Sequence, residues 1–146
     1  MTNVNVRAAT TSDVQDVARL LVELGCSVTV PEVRLRLERL EDAAANRVFL
    51  ADLGGRVVGL LGMHIVPLLH RDALARITAF IVTEDCRGRG IGTELLSVAE
   101  RWAVAQGCRQ VELNSGDHHA PAHAFYRHRG YRLDDRRFIK EDESLA

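Results

Sequence analysis

The sequence predicts an α/β protein built on one mixed sheet (α+β), and three observations carry that reading. A β-branched, apolar strand over residues 75–83 empties through a glycine-rich turn into a helix, and another strand follows. Two further strand signals, over 48–51 and 57–66, flank Leu53-Gly54-Gly55-Arg56, a hairpin turn. The remaining segments complete the order β-α-α-β-β-β-α-β-α-β, and a strand-helix-strand unit among hairpins requires parallel and antiparallel pairing in one sheet.

Each element has its own signal. Val4, Val6 and Ala8 alternate with polar neighbours as a short strand. Thr11 or Ser12 caps a first helix, with Asp13 and Asp16 in its first turn and Val14, Val17, Ala18, Leu21 and Leu24 as its stripe. Gly25 ends it, residues 26–30 connect, and Pro31 starts a second helix whose Val33, Leu37 and Leu40 share a face. Arg34, Arg36, Glu38, Arg39 and Glu41 decorate its solvated side. Pro67 breaks the strand over 57–66, and residues 68–72 form a loop. After the glycine turn a helix opens at Thr93, buries Leu95, Leu96, Val98, Ala99, Trp102 and Ala103, and ends at Gly107. Residues 108–113 form a strand, 114–120 a polar loop, 121–129 a short helix stopped by Gly130, and 131–140 the strand that closes the sheet.

At 146 residues the chain reads as a single domain, 1–146, able to bury a substantial core. A net charge of −1 gives no basic excess for nucleic acid. The apolar stretches are too short to span a bilayer, and the N-terminus lacks a signal-peptide core, so neither membrane nor export is expected. Cys26, Cys86 and Cys108 are scattered and odd in number, which fits a reducing cytoplasm and suggests neither disulfide nor zinc.

The glycine turn is the chemical centre. Residues Arg87-Gly88-Arg89-Gly90-Ile91-Gly92 lead into a helix N-terminus, where backbone N–H groups lack intrahelical partners and the helix dipole favours an anion. Glycines let the backbone approach phosphate closely, and Arg87 and Arg89 add charge, Arg87 with a fork suited to bidentate binding. The spacing GxxxxGK[ST] is absent, and GxGxxG fails because Thr93 stands where its last glycine belongs. What remains is Arg-x-x-Gly-x-Gly at Arg87, Gly90 and Gly92. Downstream, Ala122-His123-Ala124-Phe125-Tyr126 ends in Gly130-Tyr131.

With both motifs in this order, the whole chain resembles the GNAT superfamily of acyl-CoA-dependent N-acetyltransferases. That resemblance implies a GNAT-like fold, acetyl-CoA as cosubstrate, and a pyrophosphate loop over residues 87–93. It implies that backbone at Ile81 and Val82 pairs with the pantetheine arm, an N–H there stabilising the oxyanion formed when an amine attacks the thioester. Gly88, Ile91, Gly92 and Thr93 belong to the same cofactor cradle. Phe125 packs in the core, and Tyr126 corresponds to the tyrosine that protonates the departing sulfur. The family's asparagine is here His119, which can donate a hydrogen bond to the cofactor instead. A phenol near ~10 protonating a thiolate near ~8.5 works uphill by roughly 2 kcal/mol, less if the site lowers the phenol.

An alkylammonium near ~10.4 must also lose a proton, at about 4–5 kcal/mol at neutral pH, so a base or a water relay is expected. No acid lies within residues 75–83, and His64, Glu23 and Glu84 are the candidates. His118, His119, His123 and His128 invite a metal, but Pro121 interrupts the helix between His119 and His123, and no cysteine partners them; no metal is expected. In the resembled family the acceptor groove is formed by the segments corresponding to 25–32 and 67–72. The first is apolar through Cys26, Val28 and Val30, the second of mixed charge through Arg71 and Asp72. Without a carboxylate cluster, a small amine or amino-acid-like metabolite is the expected acceptor, with a protein or peptide amine next. A non-catalytic acyl-CoA-binding module of the same fold is the alternative. The family commonly forms dimers, so a homodimer is an open assembly.

Overall fold

The computed structural model describes residues 3–114, 120–134 and 138–141. Contacts divide the chain into two compact units, Met1–Asn114 and Ser115–Ala146.

In the first unit, strand β1 (Asn5–Ala8) is followed by helices α1 (Val14–Leu24) and α2 (Val30–Glu41). Strands β2 (Asn46–Leu53), β3 (Arg56–Val66) and β4 (Leu74–Val82), helix α3 (Ile91–Ala105) and strand β5 (Gln110–Leu113) complete it. The sheet order is β1-β2-β3-β4-β5. The first four strands pair antiparallel and β5 lies parallel to β4, joined to it through α3. The mixed sheet of the sequence reading is therefore present.

Register assigns the faces. Leu50, Leu60 and Ile81 are opposed across β2, β3 and β4, and they pack with Val14, Val17, Ala18, Leu20, Val33 and Leu37 of the first two helices. Their neighbours point the other way. Phe49 meets Trp102 of α3 edge-to-face at 6.2 Å, and a Cβ on Gly59 would sit 2.9 Å from Leu95 Cδ1. The sheet thus lies between α1 with α2 on one face and α3 on the other. Two bulges bend it, one opposite Ala51 and Asp52 and one opposite Gly62 and Met63. The second leaves Thr78 as the extra residue of β4.

Local chemistry explains most boundaries. A 3-10 turn, Thr11–Asp13, precedes α1, so the helix starts later than its sequence cap suggests. Asp13 accepts from the Thr10 N–H at 2.8 Å and from both terminal nitrogens of Arg7 at 2.9 Å, tying β1 to the helix start. Thr29 and Glu32 form a capping box at α2, a T-x-x-E signal the sequence carries. Leu20, outside the expected stripe, is fully buried, whereas Leu24 and Leu40 are about two-fifths exposed at 39% and 38%. Helix α3 opens at Ile91 rather than Thr93, because Gly90 is its cap.

The second unit contains helix α4 (Ala120–His128). The expected closing strand over 131–140 is not found among the described residues: 131–134 and 138–141 belong to no strand. The charge run Asp134-Asp135-Arg136-Arg137 interrupts the period-two alternation on which that expectation rests. Leu133, Phe138 and Ile139 are exposed accordingly.

Candidate active site

The site begins where β4 leaves the sheet. Thr83 still donates its N–H to Val58 O at 2.8 Å, and a 3-10 turn, Glu84–Cys86, follows. The Cys86 side chain is buried beneath it. Gly88 and Gly90 then take φ of +77° and +82°, conformations that L side chains rarely adopt. A Cβ on either glycine meets nothing within 4 Å, so the concave side of the turn is open.

Gly90 caps α3, and its carbonyl accepts the Glu94 N–H at 3.0 Å. No side chain caps this end. The amides of Ile91, Gly92 and Thr93 precede the first intrahelical bond and point out along the helix axis. A diphosphate fits this place: donors are aligned, space is open, and Arg89 is exposed beside it.

Arg87 is turned more toward the protein than its forked shape suggests. Its Nε donates to Val82 O at 2.9 Å, and Nη2 lies 3.7 Å from Glu23 Oε2. Glu23 therefore does not stand as a free base. Its Oε1 accepts the Thr83 hydroxyl at 2.7 Å and its Oε2 accepts the Glu84 N–H at 2.9 Å. This carboxylate fastens the last turn of α1 to the start of the loop. Glu84 contributes its backbone to that contact.

Strand β4 has a second property that sequence could not display. It pairs with β5 only from Leu74 to Ile77, opposite Gln110 to Leu113. Beyond the bulge at Thr78, residues 79–82 continue the pairing with β3. The β4–β5 ladder thus ends partway along β4. Ile81 is buried in the core cluster, so its side chain serves packing. His64 sits opposite Arg76 near the end of β3. Arg76 in turn meets Glu112 of β5 at 2.5 Å, a pair the sequence reading missed. Aligning two parallel strands was needed to find it, since the residues are 36 apart.

In the second unit, Tyr126 lies on α4 with its ring edge-to-face against Phe125 at 5.5 Å and Tyr131 at 6.0 Å. Tyr131 donates its N–H to Tyr126 O at 2.9 Å, folding the chain back after Gly130. Burial pushes the Tyr126 phenol above its usual value, opposite to the lowering that would ease proton donation. His123 Nε2, on the same helix, is buried without a hydrogen-bond partner. His118 and His119 lie outside the described residues. Among the described residues no three His, Cys, Asp or Glu side chains gather as a metal site, and no helix is long and apolar enough to cross a membrane.

Comparison with known proteins agrees with this geometry. Residues 16–131 match the model of the acetyltransferase (GNAT) family. The aminoalkylphosphonate N-acetyltransferase of Salmonella typhimurium is 31% identical over 143 residues, covering 92% of this chain and 89% of the relative. A putative acetyltransferase from Agrobacterium tumefaciens superposes with a TM-score of 0.85 at 26% identity, over 94% of this chain and 99% of that one. The aminoglycoside N-acetyltransferase AAC(6')-Iy, solved in complex with CoA, superposes with a TM-score of 0.86 at 16% identity, over 97% and 96% of the two chains. On this agreement of family match, relative and fold, the chain belongs to the GNAT family of acetyltransferases, enzymes that use acyl-CoA.

Proposed function

We propose that the protein transfers an acetyl group from acetyl-CoA to the primary amine of a small-molecule metabolite. The observation that carries this reading is the uncapped N-terminus of α3 behind Gly88 and Gly90, reached directly from a strand whose edge parts from its neighbour. Bound acetyl-CoA supplies an activated thioester. The amides of residues 88–93 hold its diphosphate, with charge from Arg87 and Arg89. Backbone at Ile81 and Val82 lies along the acyl arm, where an N–H stabilises negative charge developing on the acyl oxygen. Tyr126 gives its proton to the departing sulfur. Its raised pKa keeps the phenol protonated at neutral pH, at the cost of a transfer steeper than the roughly 2 kcal/mol of an ordinary phenol and thiolate. The family match runs through both units, which supports residues 1–146 acting as one catalytic domain.

The acceptor is an alkylamine, and the curated relative makes an aminoalkylphosphonate the first one to offer. The test is thiol release from acetyl-CoA in the presence of aminoalkylphosphonates, amino acids, polyamines, aminoglycosides and peptides. Amine-dependent release with a small metabolite supports the proposal. Saturable CoA binding without release for every amine would make the chain an acyl-CoA-binding module instead.

A further inference from the structure

The face of the sheet that α1 and α2 pack against carries a polar row at its far end. His64, Arg76 and Glu112 are opposed across β3, β4 and β5, and opposed residues project to the same face. Arg76 Nε and Nη2 both lie 2.5 Å from Glu112 Oε1. Their side chains are 41% and 34% exposed, so solvent, or a ligand, reaches both charges. Stability alone gives little reason for them, since exposed ion pairs contribute little and an apolar pair would serve a sheet face equally well. Their position is the informative part. The β4–β5 ladder ends one pair later, at Ile77 and Leu113, and the bulged Thr78 beside it is exposed. The ion pair therefore stands at the fork where the two strands separate.

We infer that Arg76 and Glu112 are the acceptor-binding pair, and that the acceptor is a short zwitterion: a primary ammonium joined to a phosphonate, phosphate or carboxylate. This rests on the acetyl-transfer reading, which lays the acyl arm along β4 beyond the same fork. A zwitterion enters the ion pair by exchanging one charge contact for two. Its ammonium takes the place of the guanidinium against Glu112, and its anion takes the place of the carboxylate against Arg76, with half-exposed His64 beside it. An uncharged-headed amine gains only the first contact. Glu112 then fills the position for which β4 offers no acid. The ammonium proton passes to the Glu112 carboxylate, and the freed lone pair forms the C–N bond with the acyl carbon. The C–S bond breaks with its electron pair on sulfur, which takes the proton supplied by Tyr126, and the second proton that the nitrogen sheds as it becomes an amide restores the phenol.

The experiment is steady-state thiol release by the full chain from acetyl-CoA, with aminoethylphosphonate, β-alanine and propylamine as acceptors. Wild-type protein is expected to favour one or both zwitterions over propylamine, and the preferred one identifies the anion. Arg76→Gln should raise the KM of the preferred zwitterion about tenfold or more and abolish the preference for it over propylamine. Glu112→Gln should lower kcat about a hundredfold or more with every amine. The charge-swapped double variant Arg76→Glu/Glu112→Arg keeps an ion pair across the same strands, so a merely structural role predicts normal turnover and acceptor binding predicts its loss. Normal kinetics in the swapped protein, or equal use of propylamine and the zwitterions by wild type, overturns the inference alone. A wild-type protein that releases no thiol with any amine overturns the acetyl-transfer reading and this inference with it.

Discussion

Glu23 and Thr83 meet at 2.7 Å, hydroxyl to carboxylate, and the second oxygen of Glu23 takes the Glu84 N–H at 2.9 Å. The last turn of α1 thereby holds the first turn of the loop proposed to bind the cofactor. Glu23→Ala leaves both donors unsatisfied, and Thr83 is only 6% exposed. Part of Glu23 is in solvent, so the stability cost should fall near the lower end of about 1–3 kcal/mol. The larger consequence is expected in the loop, with CoA affinity falling about tenfold as the amides lose their preset geometry. Titration calorimetry with CoA, beside urea unfolding, separates the two effects. Unchanged CoA affinity in a destabilised variant would make Glu23 a purely structural contact.

Gly90 tests the cradle itself. Its φ of +82° makes any side chain costly, by about 1–2 kcal/mol, although a Cβ there touches no protein atom. That same empty space is where the diphosphate is proposed to lie. Gly90→Ala should therefore weaken CoA binding well beyond its effect on folding, whereas Gly54→Ala, in the β2–β3 hairpin with a φ of +61°, should cost stability alone. Comparing the two variants by thermal melting with and without CoA checks this. Equal ligand-induced shifts in both would remove the cradle.

Tyr126→Phe should lower kcat about a hundredfold with CoA affinity unchanged, as expected when a general acid is removed. The direction of the phenol's shift adds a pH signature. Burial raises it, so Tyr126 stays protonated to higher pH than a free phenol near ~10. Any alkaline fall in kcat that this group causes must then lie above about pH 10, and it should vanish in the phenylalanine variant. A limb at lower pH that survives the substitution belongs to another group.

What the sequence could express depended on the range of each interaction. The Arg87–Gly92 turn is local, and its glycines and following helix were readable because the required backbone conformations belong to those residues themselves. The first four strands and α1 to α3 were readable for the same reason, through periodicity. Glu23 reads from sequence as one candidate base beside His64 and Glu84, since nothing local shows that its partners lie at Thr83 and Glu84. Arg76 and Glu112 were invisible until β4 and β5 were set in register, because each alone is an ordinary charged residue on a strand. Of the strand expected over 131–140, the described residues 131–134 and 138–140 belong to no strand. His119 lies outside the described residues.

Asp13 offers a test of the frame that carries α1. Hydrogen bonds from Arg7, together with the Thr10 N–H, hold its carboxylate below the usual range despite its burial. A carboxyl whose folded pKa is depressed stabilises the fold above its unfolded value near ~3.9, and that contribution disappears as pH falls through the folded pKa. Asp13→Asn should therefore cost about 2–3 kcal/mol at neutral pH, since Arg7 is left with the longer contacts to Asp52 at 3.3 Å and to the Ala8 carbonyl at 3.4 Å. The gap between wild type and variant should narrow as pH drops from about 5 toward about 2, because only the wild type loses the charge. Urea unfolding across that range measures it directly. A gap that stays constant would mean that packing, not the charged carboxylate, joins β1 to the start of α1.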